Sequence, residues 1–508
     1  MKNPNTHTEL VAKLHRINQL ESVIGLVSWD EQVNLPEGSA ERRADQMVLL
    51  AELHHRESTD VALESLLDSL ESEGGAELSF DEKVVVREAR RDFDRVAKLP
   101  AEFVARKAAL DSQAYHAWEI AREKSDYAEY APYLRRQLDM AREEAGYHGH
   151  TESAAYDFHI DTHDPGMSAA AIEPLFAELR AGLVPLVREI VNSPIKADPS
   201  PLIGLSVEGQ RTFLKEVTER IGFDYSRGRI DVSAHPFCSG DAADTRMTTR
   251  FVESAPLEAL FSSIHETGHG LYEQGQPVEH LGTGLGTAVG MAIHESQSRL
   301  WENQVARGRP FWRFFEPRFR EIFGLGPDRI SSDQLFLAAN EVKLHPIRVE
   351  SDEVTYNLHI ILRFELEKRL FDGTLEVSDL PDAWNALSLE LLGLTPKNDA
   401  EGVLQDVHWS GGAFGYFPSY CLGNMIAAQL WNTIKVELPD LEREFEKGDF
   451  SRILSWLREK IHHQGQRYDT MALVRRVTGD AITPAPLLRY LRERYLPLYQ
   501  ARPGSMPK

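Results

Sequence analysis

Up to about residue 225, apolar side chains recur at three- and four-residue spacing, the period of helices with one buried stripe. The spacing predicts helices over 9–26, 40–57, 81–97, 101–123 and 128–146. Breaks at Leu35-Pro36-Glu37-Gly38, Glu73-Gly74-Gly75 and Leu99-Pro100 separate several of them, where proline and glycine interrupt the repeating hydrogen bonds. Asp164-Pro165-Gly166 marks a turn, and Ser168 is placed to cap a helix running to about Asn192. No segment recurs at a fixed period, so a solenoid is excluded.

The texture then changes. Residues 229–237 and 244–252 are rich in threonine, valine and phenylalanine and partly alternate in polarity, which predicts two strands joined by a loop at Cys238-Ser239-Gly240-Asp241. A lone hairpin in a helical protein is usually a structural flap. Here the second strand ends just before the next helix, a position from which its edge could pair with an extended peptide. Leu257, Leu260, Phe261, Ile264, Gly268, Leu271 and Tyr272 form the stripe of that helix. Ser254 and Pro256 suit its start, and Gly275 suits a left-handed cap at its end. Gly268, a poor helix former in mid-helix, implies that something packs close to the backbone. A helical pattern returns over 290–307, an irregular glycine- and aromatic-rich stretch covers 400–423, and helices resume over 424–499. The fold class is therefore mainly α with a small β element. Without a low-complexity linker, one domain over 1–508 is expected, with two lobes around a groove.

The helix over 257–272 carries His265-Glu266-Thr267-Gly268-His269. Histidines four apart stand one turn above each other on one face. Their imidazoles can converge on one zinc ion and leave room for a third ligand and a water. Glu266 is turned towards that water, where it can act as general base. In a chain with 19 histidines the bare motif arises by chance with a probability of roughly several per cent. The helical context favours the metal over two core histidines satisfied by neighbours. In the segment Met291 to Ser298, Glu295 is the candidate third ligand, and His294, about 100° round the helix, is its competitor. Glu302, two turns beyond Glu295, reads either as a brace for the site or as a surface acid.

Composition narrows the class. The 508 residues are 42% hydrophobic and 27% charged, as in a soluble globular protein. The formal net charge of -23 argues against a nucleic-acid partner, which needs the opposite sign. Most of the acidity belongs on solvated helix faces such as 442–447, where acids and bases interleave. No apolar run is long enough for a membrane span, and none follows Met1-Lys2-Asn3-Pro4-Asn5 as a signal peptide requires. Two cysteines, Cys238 and Cys421, cannot build a disulfide framework and fit a reducing cytoplasm.

Six ordered motifs add to this: His235-Pro236-Phe237, Asp244-Thr245-Arg246-Met247-Thr248, His265-Glu266-Thr267-Gly268-His269, His294-Glu295-Ser296, Ile347-Arg348-Val349-Glu350-Ser351-Asp352, and Gly402-Val403-Leu404-Gln405-Asp406-Val407-His408-Trp409. On these the chain resembles the thermostable carboxypeptidases typified by carboxypeptidase Taq, over essentially its whole length. The resemblance implies a helical fold with a deep groove, similar to neurolysin and angiotensin-converting enzyme, and a homodimer. It implies a metallocarboxypeptidase that removes single C-terminal residues from peptides with zinc or sometimes cobalt. It favours Glu295 as the third ligand, within a metal-binding core over about 229–423.

An exopeptidase of this kind must pair the substrate's terminal carboxylate with a fixed cation, best a bidentate arginine. Arg246 and Arg348 are the candidates, since each stands in a matched motif; an arbitrary arginine is more often in a surface ion pair. The scissile carbonyl also needs donors for its developing charge. His408, Tyr416 and Tyr420 lie in or beside the glycine-rich Trp409–Gly415 stretch. By resemblance to neurolysin-like folds, His408 and Tyr420 take the donor role; Tyr416 is a candidate substrate-binding residue, and buried structural tyrosines are the plain alternative. Gln405 and Asp406 are expected to orient neighbours. One departure stands out. Many related enzymes have an acid four residues after the third ligand to brace a metal-bound histidine, and here that position is Arg299. The brace is left among Ser298, Glu302 and Asp406. The rival readings are a zinc oligopeptidase or dipeptidase cutting short peptides internally, and a non-catalytic peptide-binding scaffold with a structural zinc.

Overall fold

In a computed structural model, residues 4–72 and 77–500 are described; the expected break at Glu73-Gly74-Gly75 and the first three residues lie outside them. Each of the five early helices predicted from spacing is present. Pro4–Asn34 runs past the predicted end at 26 to the Leu35-Pro36 break, and Trp29 in the added turns is buried. Ala40–Ser58, Phe80–Ala97, Ala101–Lys124 and Tyr127–Tyr147 follow. Ser79 and Glu82 form a reciprocal capping box on the third of these, and the Ser168 hydroxyl caps Ala169–Val191 as expected. Further helices at Val61–Ser72, Ala155–His163 and Val207–Ile221 lie between them or follow.

Among the described residues, two apolar cores form. The larger gathers side chains from Leu110 to Tyr499. A smaller one collects Leu10, Leu63, Leu67, Leu78, Val84 and Phe93 from the N-terminal helices and takes in Leu285 from farther along the chain.

The expected two-stranded hairpin is a three-stranded sheet. Strands β1 (Gly228–Val232), β2 (Cys238–Gly240) and β3 (Thr245–Thr249) lie in the order β1-β3-β2, with β1 parallel and β2 antiparallel to β3. The segment read as a loop is itself β2. Gly240, at φ +101°, allows the tight reversal there, since a Cβ would meet the Asp244 carbonyl oxygen at 1.9 Å. The central β3, expected to offer an edge, has none free; the edges are β1 and β2, and β2 lies beside the first helix and the Pro256–Gly275 helix. Threonine survives in the buried β3 because its hydroxyls are bonded: Thr248 accepts from Ser233 at 2.7 Å, and Thr249 bonds to Ser263.

The helix Pro256–Gly275 bears the His-Glu-x-x-His motif, and its whole predicted stripe is buried. Its termini differ from expectation. Pro256 occupies the first turn, but Ala255 is the cap residue and Ser254 makes no side-chain cap. Gly275 ends the helix without a left-handed φ; a Cβ there would fall 2.1 Å from His462 Nδ1, so close packing and not capping demands glycine. Gly268 meets its expectation: its Cβ would sit 2.5 Å from Ser298 Cα and 2.8 Å from the Gln297 carbonyl oxygen. Those atoms belong to the helix Met291–Arg299, which continues as a buried π-helix over Leu300–Ala306. Wide turns of this kind are rare and cluster near functional sites. The stretch read as irregular to 423 becomes helical earlier, with Phe417–Glu437 carrying Tyr420 and Gly423. Glycine content suggested a loop there. Gly423 instead admits a neighbouring helix, for its Cβ would meet Glu295 Cβ at 2.6 Å.

Gly268→Ala should destabilise the metal-free protein by about 1–3 kcal/mol in denaturant unfolding, because the methyl meets backbone that cannot yield locally. Gly25→Ala, in a helix interior with nothing within 4 Å, should stabilise it by about 0.5–1 kcal/mol.

Candidate metal centre and active site

His265 Nε2 and His269 Nε2 each stand 3.5 Å from Glu295 Oε2. Donors bound tetrahedrally to zinc at about 2.0–2.1 Å are separated by roughly 3.4 Å, so both histidine–carboxylate distances match the spacing of a coordination sphere. All three atoms lie within 4.8 Å of one another, the sole such group of histidine, cysteine and carboxylate side chains among the described residues. Burial holds His269 well below its ordinary value, at about 3, so its ring is neutral, as ligation requires. Burial alone would lower His265 too, but the facing Glu295 carboxylate raises it in the absence of a metal.

The groups behind the donors select which atoms face inward. His265 Nδ1 bonds to Glu302 Oε2 at 3.0 Å, so Glu302 is the brace the sequence left open. Ser298 touches Glu295 Oε2 at 3.2 Å, and Asp406 belongs to a different cluster. Arg299 donates to Glu295 Oε1 at 2.6 Å and to Glu302 Oε2 at 3.1 Å, with its guanidinium 4.3 Å above the Tyr356 ring. Arg307 holds the other oxygen of Glu302 at 3.1 Å. Burial would raise both carboxylates, yet the Arg299 charge keeps Glu295 far below the carboxylate range and Glu302 at about 2. His294 does not compete as a ligand, because its ring nitrogens face His269 Nδ1 at 2.5 Å and Glu273 Oε1 at 2.7 Å.

Glu266 differs from these acids. It makes no hydrogen bond or ion pair among the described residues, and burial pushes its carboxyl up to about 7. A carboxyl poised near neutrality beside three candidate metal donors is suited to take and return a proton.

Arg348 is buried in a second cluster. Its Nε and Nη2 donate to Asp406 Oδ1 at 3.0 and 2.8 Å, and its Nη1 to the Tyr356 hydroxyl at 3.0 Å. Arg363, wholly buried, takes the other Asp406 oxygen with its Nε at 2.7 Å and reaches Gln405 Oε1 at 2.8 Å. Gln405 also accepts from the Arg348 backbone N–H at 2.7 Å, so both Gln405 and Asp406 orient arginines as expected. Arg246 lies elsewhere. Its guanidinium pairs with Asp244 at 2.9 Å and stacks 4.3 Å from the ring centre of Trp29, which Arg229 also approaches at 4.8 Å. None of these contacts joins Arg246 to Arg348 or to the metal donors.

His408, Tyr416 and Tyr420 do come together. The Tyr420 hydroxyl is 3.5 Å from His408 Nε2, and the two tyrosine rings meet edge to face at 5.3 Å. Burial lowers His408 to about 4, raises Tyr416 to about 12 and pushes Tyr420 well above its ordinary value, so at neutral pH the histidine is uncharged and both phenols keep their protons. The intervening loop is pinned by buried Glu367, which accepts from Trp409 Nε1 at 2.7 Å, Tyr156 at 2.9 Å and the Gly415 N–H at 3.1 Å.

Sequence reasoning missed Glu273, Tyr356 and Arg363. Glu273 had a usable signal, standing one helical turn after His269. Tyr356 and Arg363 belong to a helix whose contacts come from segments far away in sequence, so no local pattern marked them.

With this geometry in hand, comparison with known proteins is direct. The sequence profile of the carboxypeptidase Taq (M32) metallopeptidases matches residues 9–495. The chain is 42% identical to thermostable carboxypeptidase 1 of Thermus thermophilus, with 94% of this chain and 96% of that protein covered. It is 37% identical to carboxypeptidase 1 of Bacillus subtilis, over 96% and 97%. The fold is similar to the crystal structure of the M32 carboxypeptidase from Deinococcus radiodurans R1, with a TM-score of 0.95, 39% identity, and 98% of this chain and all of that one covered.

Asp406→Asn should cost about 3–5 kcal/mol of stability, because it leaves two buried guanidiniums facing each other without a carboxylate. Urea unfolding within 1 kcal/mol of the parent would show that this carboxylate does not hold the cluster together.

Proposed function

The chain belongs to the carboxypeptidase Taq (M32) metallopeptidase family, and from that premise we propose that His265, His269 and Glu295 hold a zinc ion, replaceable by cobalt, at which single amino acids are released from the C-termini of peptides. The protein is a metallocarboxypeptidase. The observation that carries the assignment of its site is the convergence of three donors at coordination spacing with an unpaired carboxyl, Glu266, next to them.

A zinc ion in this position supplies Lewis acidity to the scissile carbonyl and lowers the pKa of water. Glu266 accepts a proton from the attacking water and passes it to the amine of the departing amino acid. The uncharged His408 and the protonated Tyr420 serve as donors to the negative charge developing on the carbonyl oxygen. Arg348 receives the terminal carboxylate. Asp406 and Tyr356 fix its plane while leaving the second N–H of each terminal nitrogen for a substrate. Arg246, held by Asp244 and Trp29 on the sheet, assists in substrate binding, and Tyr416 lines the substrate's path. The edge of β2 is the strand to which an extended peptide adds.

The chain acts as one catalytic domain over 1–508, a reading supported by the larger core's span from Leu110 to Tyr499. We assign it to the cytoplasm as a homodimer. The two free cysteines support the compartment and the family resemblance supports the dimer.

Glu266→Gln should retain stoichiometric zinc and lose peptide turnover by about 10²-fold or more, measured as amino acid released per protein. The parent should degrade a peptide with a free C-terminus and stall on its C-terminal amide. Equal turnover of both would replace the exopeptidase reading with internal cleavage.

A further inference from the structure

The two histidines of the metal site are backed in different ways. Behind His265 stands Glu302, a carboxylate already clamped by Arg299 and Arg307. Behind His269 stands another imidazole: His294 Nδ1 lies 2.5 Å from His269 Nδ1, and His294 Nε2 lies 2.7 Å from Glu273 Oε1. Glu273 has no arginine or lysine within ion-pair distance among the described residues, and its one partner is His294. All three side chains are mostly shielded, at 13%, 16% and 19% exposure for His269, His294 and Glu273. The Tyr272 ring closes on His294 at 5.1 Å.

Proton counting orders this chain. The Glu273 carboxylate can only accept, so His294 donates to it from Nε2. A neutral His294 then presents a lone pair at Nδ1. The short contact to His269 is a hydrogen bond only if His269 carries its proton on Nδ1, and that tautomer leaves the lone pair of His269 on Nε2. Nε2 is the atom 3.5 Å from Glu295 Oε2.

We infer that Glu273 and His294 form a positioning relay that fixes the tautomer and ring plane of His269 and passes the uncompensated charge of Glu273 to it as added basicity towards the metal. The inference rests on the reading of His265, His269 and Glu295 as the metal site. It gives His294 and Glu273 a role without contact to substrate or metal. It also makes the two histidines unequal, one backed by a carboxylate neutralised by arginine and the other by a carboxylate whose charge reaches it through a ring.

The test uses full-length protein stripped of metal and titrated with zinc against a competing chelator. E273Q is nearly isosteric and keeps an acceptor, whereas H294L removes the ring; unfolding of both metal-free variants is followed alongside. We expect each to lower zinc affinity by about 10–100-fold while the metal-free unfolding midpoint of E273Q stays at that of the parent. The double variant should be no weaker than H294L, since the carboxylate acts only through the imidazole. The visible spectrum of the cobalt-loaded protein should shift in E273Q. Unchanged zinc affinity in both single variants would overturn the relay, and so would independent, additive losses. A parent that binds no zinc would overturn the metal site itself, a failure distinct from that of the relay.

Discussion

A single buried guanidinium, that of Arg299, makes the centre of this protein possible. Glu295 and Glu302 are both buried, seven residues apart on one helical run, and two carboxylates so placed would each favour protonation. Arg299 lies between them and bonds to both, so both stay ionised. Occupying Glu295 Oε1 also leaves Oε2 as the oxygen that faces the histidines. Tyr356 then couples this charge system to the next, since its ring lies under Arg299 and its hydroxyl accepts from Arg348. A continuous path of buried charge and aromatic contact thus runs from Glu295 to Asp406 and Arg363.

The path demands helices that approach closely, and glycine permits it. Gly268 admits the backbone at Ser298, and Gly423 admits the Cβ of Glu295 from the opposite side. The helix carrying Glu295 is therefore held between the motif helix and Phe417–Glu437 with no room for a methyl group at either face. Packing at this density turns a modest shift of one helix into a shift of the donor atoms. The π-helix that follows is part of the same arrangement, since it carries Glu302 to His265.

Much of the site was legible along the chain because it is built from neighbours one helical turn apart. The two histidines and Glu266 could be read from helical spacing, the anomaly of Arg299 showed only against the family resemblance, and Gly268 announced a close contact. Where reading failed, a long-range contact had replaced a local rule. Gly275 looked like a helix cap but is required by His462, and Cys238-Ser239-Gly240 looked like a loop but pairs with β3. Gly423 looked like loop glycine but makes room for Glu295.

The sequence by itself determined the helical class, the candidate metal donors and the motifs that mark the family. These depend on periodicity and on residue types at short fixed spacing, which survive in one dimension. The tertiary structure alone decided which group stands behind each donor: Glu302 behind His265, His294 and Glu273 behind His269, and Asp406 between two arginines. It also placed Arg246 beside Trp29, apart from Arg348. The reason is physical. Charge compensation and hydrogen-bond direction are properties of atoms a few ångströms apart in space, and segments distant along the chain meet only when the cores close.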